Sequence, residues 1–373
     1  MPDVDFEGEG LLEGLEGKER DARLELLTEL ASDGVSTDEL RQAVNEERLA
    51  LLPVERVLSG GGPKYSANDI EEKTGIDVRF LERLWRSLGL APQPDDEVAY
   101  SDRDLEAAER IAALIDAGLP EDGVLEVARL LGMNMSQLAA ANRTLIADTF
   151  LREGDTEQDV AKRFAVAAEA FAPLIDESLG YVLNLHLREQ IRHDAIGADE
   201  VSAGRLDSAS EVTVCFADMV GFTRLGDTLD VEELGTLTGR LGELAAEVIE
   251  SPVRLVKMIG DAVMLVGPEP GPVLEAGLTL VERAEQEAED FPLLRAGVAS
   301  GTALARAGDW YGRPVNLASR ITDRARPASV LTTKEVHDAL EDGYVWSFAG
   351  EKKLKGIDGE VPLYRARRKS ASE

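Results

Sequence analysis

The sequence is short of three things. It holds one cysteine, Cys215, in 373 residues, which excludes an intrachain disulfide and any cysteine-cluster zinc site and fits a reducing compartment. No uninterrupted apolar run approaches the ~20 residues needed to span a bilayer, and the N-terminus, MPDVDFEGEG, has no basic n-region or apolar h-region. A cytoplasmic protein without a membrane span is expected. Positive charge is also scarce: 40 Lys and Arg stand against 72 Asp and Glu, a formal charge of −32. Spread along the whole chain, that field repels nucleic acid and anionic lipid, so either partner would need a local basic patch. What remains is long enough for two or three domains, each with its own core.

The first half reads as helix almost throughout. Residues 1–20, rich in Glu and Gly, read as a mobile lead-in. Leu24, Leu27 and Leu30 then share one helix face, and Ser36-Thr37-Asp38-Glu39 opens a second helix expected to run to Leu52. Residues 65–119 carry a Tyr-Ser start, a short helix, a glycine turn, a helix with Trp85, a Leu-Gly-Leu exit and a second Tyr-Ser-Asp entry. This pattern resembles the helix-turn-helix headpiece of MerR-type regulators and implies a small helical fold. The wing after Leu-Gly-Leu, Pro92-Gln93-Pro94-Asp95-Asp96-Glu97, is acidic where that family is usually basic, and it would face phosphates unfavourably. Arg79, Arg83 and Arg86 form a stripe that a solvated helix face explains more simply, so nucleic acid is not the expected partner. Further amphipathic segments follow at 124–131, 138–150 and 160–171, before Pro173. A last helix, 174–192, spaces Leu179, Val182, Leu183, Leu187 and Ile191 at three and four. It suits either a dimerising, signal-transmitting element or a helix that closes the bundle. His186 and His193 lie seven apart, too far to share a metal on one turn. A pH-sensing role and an unremarkable surface role both stay open.

Residues 195–205, rich in Ala, Gly and Asp, mark a linker. The domains expected are 1–195, a linker at 196–208, and 209–373. In the last of these, Val212, Val214 and Phe216 alternate with Thr213, Cys215 and Ala217, a strand apolar on both faces. It ends in Asp218, and Gly221, Phe222 and Thr223 form a glycine loop whose backbone N–H groups can cradle phosphate. A helix over 230–250 follows, then a hairpin, 255–259 and 262–266, turning at Gly260-Asp261. Lys257 inside an apolar strand needs an acceptor. If the hairpin lies beside the first strand, Asp218 and Asp261 both reach one divalent cation, with phosphate and water completing its shell. Beyond a helix at 273–289 and a strand at 294–302, residues 308–312 read as a loop, and Pro314 opens a helix. Asn316 and Arg320, four apart, share a face of that helix and suit a clamp for phosphate or ribose. Strands are expected at 330–333, 345–348, 352–354 and 362–365. Lys355, before Gly356, could reach a phosphate. Arg365, Arg367, Arg368 and Lys369 read as a solvated basic tail.

FADMVGFT, VKMIGDAVM, GDWYGRPVNLASR and KLKGIDGEVPLY, in this order, resemble the class III nucleotide cyclase catalytic domain over about 165 residues. The resemblance implies an α+β architecture: an all-helical N-terminal regulatory domain, then a ferredoxin-like catalytic domain active as a homodimer. It implies that Asp218 and Asp261 hold two Mg2+ or Mn2+ ions, and that Lys257 and Asp309 read adenine as donor and acceptor, which favours ATP. It further implies that Asn316 orients the ribose, Arg320 stabilises charge on the phosphates, and Lys355 contacts the triphosphate. The metal-holding residues come from one chain and the others from its partner. A guanine reader would carry Glu with Cys or Ser at the purine positions. The first half looks like the regulatory region of soluble actinobacterial-type adenylate cyclases, with lipid, small-molecule and proton control all open.

Overall fold

The computed structural model describes residues 4–193, 209–288, 290–306 and 308–369; the linker expected at 196–208 lies outside the described residues. The chain divides into two compact units, Met1–Gln190 and Ile191–Glu373.

The first unit is helical. Helix α1 (Gly17–Ser32) precedes α2 (Thr37–Asn45), a short 3-10 turn (Leu49–Leu51) and α3 (Leu52–Ser59). Residues 4–16 do not trail free: Phe6, Leu11 and Leu12 are buried with Leu26, Leu27, Leu30, Leu40, Leu49 and Leu52 in one core. Those three apolar side chains outweigh the polar composition around them. Helix α2 is capped by Ser36, which accepts from the Glu39 N–H. It stops at Asn45 rather than reaching Leu52. Glu47 turns to φ 54°, and the Arg48 N–H closes back on the Ala43 carbonyl at 2.9 Å.

Helices α4 (Ala67–Thr74), α5 (Val78–Ser87) and α6 (Asp102–Asp116) follow. Capping boxes at Ser66/Asp69 and Ser101/Asp104 start α4 and α6. Their core gathers Ile70, Phe80, Leu81, Leu84 and Tyr100. The arginine stripe on α5 is partly used within the fold: Arg83 meets Asp122 at 2.9 Å and Arg86 meets Glu82 at 3.5 Å. Helix α7 (Glu121–Phe150) runs unbroken through both segments expected at 124–150, and α8 (Glu157–His193) runs through Pro173. Proline removes one helical N–H donor and crowds the carbonyl four residues earlier; here that residue, Glu169, is exposed, so water can take the freed carbonyl. Along α8, Tyr181, Leu183 and Ile191 are 64%, 61% and 74% exposed. His186 is exposed as well. Among the described residues no helix is long and apolar enough to cross a membrane.

The second unit is α+β. Strand β1 (Ala209–Met219) leads to α9 (Phe222–Leu225), α10 (Val231–Glu247), β2 (Arg254–Ile259), β3 (Ala262–Gly267), α11 (Pro270–Glu285) and β4 (Leu294–Arg306). Then come β5 (Asp309–Gly312), α12 (Arg313–Thr322), β6 (Ser329–Thr333), α13 (Lys334–Ala339), β7 (Tyr344–Lys353) and β8 (Glu360–Arg368). The sheet order is β2-β3-β1-β4-β6-β8-β7, with β5 on β4, and the β2-β3-β1-β4 portion is the antiparallel order of a ferredoxin-like fold. Alternation along β1 serves two cores. Cys215, Ala217 and Met219 pack with α10 and α11, while Val212, Val214 and Phe216 pack with α12.

Burial pushes the Cys215 thiol up to about 12. A thiol reagent at about pH 8 is therefore expected to leave it unlabelled until the chain unfolds; labelling of the folded protein at the rate of a free thiol, read by mass spectrometry, would contradict this burial.

Helix α12 sits unusually close to the sheet. A Cβ on Gly297 would come within 2.5 Å of the Ala318 carbonyl oxygen and the Thr322 nitrogen, so only glycine permits the approach. The Thr322 hydroxyl then donates to the Phe216 carbonyl at 3.1 Å. Leu317, Ala318 and Ile321 are buried, which leaves the Asn316–Arg320 face turned away from the core.

Candidate active site

Asp218 is held by register. On one side it pairs with Ala262, the residue after Asp261, and the Met219 N–H donates to the Asp261 carbonyl at 3.0 Å. On the other side it pairs with Arg295 of β4, whose Nη2 donates to Asp218 Oδ2 at 2.6 Å and Nε to the same oxygen at 3.2 Å. The Asp218 side chain is 19% exposed. Burial raises its carboxyl above the ordinary carboxylate range, Arg295 opposes that rise, and the neighbouring Asp261 adds to it.

Two carboxylates this close in a half-dry place need positive charge. In the free chain Arg295 supplies it, and Arg295 reaches further to the Asp323 carbonyl at 3.2 Å. The donors are hard oxygens, suited to Mg2+ or Mn2+ rather than to soft metals. Among the described residues no group of three or more His, Cys, Asp or Glu could hold a metal, so Asp218 and Asp261 offer a site that phosphate oxygens and water would complete. The residues fit such ions.

Arg295 is the site residue that sequence reasoning missed. It stands in an apolar strand, Leu294-Arg295-Ala296, and the rule applied to Lys257 would have found it: a cation inside a buried strand needs an acceptor. Arg295→Gln is expected to cost the metal-free protein about 1–3 kcal/mol, because Asp218 would keep its burial and lose its cation. Added Mn2+ is expected to raise the melting temperature of the variant more than that of the wild type. An unchanged melt in EDTA would contradict the role.

Lys257 does find its acceptor, and it is Asp309. A bulge in β2 between Leu255 and Lys257 shifts the strand's register at this point. Asp309 opens β5, four residues paired with β4, where a loop was expected. The Trp310 N–H donates to Asp309 Oδ1 at 2.8 Å, which orients the carboxylate. Both side chains stay partly open, at 35% and 26% exposure. A donor and an acceptor thus lie side by side on a surface that a flat, hydrogen-bonding ring could meet.

Of the other residues, Arg320 is tied loosely to the Asp218 side through Asp323, which also lies 3.9 Å from Arg295. Arg320, 46% exposed, approaches Asp323 at 3.9 Å, and Asn316 is exposed one turn earlier on α12. Gly221 adopts φ 81° and precedes Phe222 and Thr223 at the start of α9. Lys355 is exposed in the β7–β8 turn, beside buried Leu354. Among the described residues no hydrogen bond or ion pair joins Asp218 and Asp261 to Lys257, Asp309, Asn316, Arg320 or Lys355 within the chain.

The class of this α+β unit, a nucleotide cyclase catalytic domain, is given by its sequence matches. Residues 205–366 match the family model "Adenylate and Guanylate cyclase catalytic domain", and residues 4–191 match "Adenylate cyclase regulatory domain". The chain is 43% identical over 365 residues to the pH-sensitive adenylate cyclase MT1302 of Mycobacterium tuberculosis, covering 96% of this chain and 91% of that protein. It is 34% identical over 294 residues to an adenylate cyclase of Streptomyces coelicolor, covering 77% of this chain and 74% of that one. The solved adenylyl cyclase CyaB from P. aeruginosa aligns at 21% identity and a TM-score of 0.38, over 44% of this chain and 96% of that one. The chain belongs to the adenylate cyclase family, with a regulatory domain ahead of a class III catalytic domain.

Proposed function

We propose that this enzyme converts ATP to 3′,5′-cyclic AMP and pyrophosphate at sites shared between two copies of the chain. The observation that carries the reading is the pair of pairs: Asp218 with Asp261, and Lys257 with Asp309, carried at different points of one sheet, with no direct hydrogen bond or ion pair between the two pairs among the described residues. A homodimer that brings the first pair of one copy to the second pair of the other would have two equivalent sites.

In the reaction the ribose 3′-oxygen bonds to the α-phosphorus of its own nucleotide, the bond from that phosphorus to pyrophosphate breaks, and the hydroxyl proton leaves to solvent. Asp218 and Asp261 would hold two Mg2+ or Mn2+ ions, which supply a lowered hydroxyl pKa and offset phosphate charge when bound. Lys257 donates to a ring nitrogen of adenine and Asp309 accepts from its exocyclic amine. Asn316 orients the ribose, Arg320 stabilises charge developing on the phosphates, and Lys355 contacts the triphosphate. Backbone N–H groups of Gly221, Phe222 and Thr223 face the phosphates. No side chain is assigned as a general base.

We infer further that residues 1–195 form a regulatory domain, 196–208 its linker and 209–373 the catalytic domain. The exposed apolar residues of α8 support contact with a second copy, and a site shared across an interface responds to small shifts there. The MerR-like segment 65–119 serves as a structural part of that domain, since its wing is acidic and Arg83 and Arg86 are engaged with carboxylates. Protons, a lipid and a small molecule are the candidate signals. A proton signal gives a pH profile for the whole chain that differs from that of residues 200–373.

The test incubates the purified chain, and residues 200–373 alone, with ATP or GTP and Mg2+ or Mn2+, and identifies the products. Cyclic AMP from ATP is expected. Its absence from residues 200–373 with both metals would overturn the reading, and cyclic GMP as the main product would reassign the purine.

A further inference from the structure

A second charged site lies at the other end of the sheet. Arg324, Arg326, Lys352 and Arg365 line a cavity of about 370 Å3, with Ser347 and Phe348 on its β7 side. Among the described residues no Asp or Glu lines it, and neither do Asn316, Arg320 and Lys355. In a chain of −32 formal charge, four cations gathered without a carboxylate is an exception. Other arginines of the chain show the usual outcome: Arg240 is bound to Glu287 and Arg368 to Glu275.

The register explains how the site is built. Arg365 lies between Leu331 of β6 and Ser347 of β7, so its guanidinium projects from the middle of three paired strands rather than from a free tail. Its Nε is buried and has no hydrogen-bond partner. Desolvating a charged N–H and leaving it without an acceptor is costly, and native structures rarely do so unless something is missing. Among the described residues the Arg324 side chain reaches only the Lys353 carbonyl, at 3.5 Å. The missing component is an anion with many acceptors.

We propose that this cavity binds a polyphosphate group, as free pyrophosphate or as the phosphate tail of a nucleotide. Three guanidiniums and an ammonium present more donors than a monovalent ion can satisfy, and guanidinium forks match phosphate oxygens two at a time. The cavity falls within the volume range of small-ligand sites. Phe348, 61% exposed beside it, offers a ring face to a base if the ligand is a nucleotide. Arg324 and Arg326 follow Arg320 by four and six residues, so an occupied cavity would restrain the segment leaving α12.

The test titrates the full-length chain with inorganic pyrophosphate, and in parallel with ATP, by calorimetry in EDTA. Metal-free conditions suppress binding that depends on Asp218 and Asp261. Wild type is expected to bind pyrophosphate, with Arg326→Gln and Arg365→Gln each weakening it about tenfold or more and Arg110→Gln, on the exposed face of α6, changing it less than about twofold. An equal loss for ATP identifies the nucleotide tail as a ligand; a loss for pyrophosphate alone identifies the free anion. If Arg365→Gln fails to melt cooperatively, the surface changes Arg326→Gln and Lys352→Gln decide. No metal-free binding by the wild type, or binding that Arg326→Gln and Lys352→Gln leave unchanged, overturns the proposal. Cyclic AMP formation measured on the same samples with metal restored reports separately on the proposed reaction.

Discussion

Asp218→Ala and Arg320→Ala proteins are each expected to lose cyclic AMP formation by at least about a hundredfold, and to regain activity when co-assembled. The two residues act at the same phosphates in the proposed reaction, yet among the described residues no hydrogen bond or ion pair joins them directly within one chain: Asp218 meets Arg295 at 2.6 Å, and only the weak contacts of Asp323 with Arg295 and with Arg320, both at 3.9 Å, lie between them. If each site takes Asp218 from one copy and Arg320 from the other, a heterodimer of the two variants has one site with both defects and one with neither. Random pairing makes half the molecules heterodimers, so about a quarter of the wild-type rate should return. A site contained within one chain would return nothing. The control is the melting temperature, because Asp218→Ala leaves Arg295 half-buried with one acceptor fewer. Heterodimers confirmed by differential tags, but silent, would count against a shared site.

How much of this was legible in the sequence depended on whether the signal was local. β1 could be read because apolar residues on both faces of a strand, ending in an Asp, leave few alternatives, and the hairpin turning at Gly260-Asp261 is equally local. β5 could not, because three residues between Gly308 and Gly312 carry no periodicity; its existence follows from pairing with β4. The strands expected at 345–348 and 352–354 are one strand, β7, interrupted by a bulge between Phe348 and Gly350, where Gly350 takes φ 87°. A glycine inside a strand pattern signals a bulge as readily as an end. Arg365 ends the strand expected at 362–365 and also joins the basic run of the tail; composition there carries no register, and only the pairing with Leu331 and Ser347 places it between two strands. The Lys257–Asp309 pair shows the reverse: the need for an acceptor was visible in Lys257, but the partner stands 52 residues away and only the sheet names it.

That pair leads to the other large expected effect. Lys257→Glu combined with Asp309→Cys is expected to lower the preference for ATP over GTP by about a hundredfold or more, because polar groups aimed at a substrate's hydrogen-bonding edge discriminate far more sharply than apolar contacts do. Adenine presents an acceptor ring nitrogen and a donor amine; guanine presents a ring N–H and a carbonyl at the corresponding edge. A glutamate meets the ring N–H, and a thiol can donate weakly to the carbonyl. Single changes carry an extra cost here. In the free chain Lys257 and Asp309 neutralise each other, both partly buried, so Lys257→Glu alone sets two carboxylates side by side and Asp309→Cys alone leaves an unpaired ammonium. The double variant removes both mismatches and should melt closer to wild type than Lys257→Glu does. The measurement is kcat/KM for ATP and GTP in all four proteins, alongside their melting temperatures. Selectivity that stays at the wild-type ratio in the double variant would remove Lys257 and Asp309 from purine reading and leave them as a structural ion pair between β2 and β5.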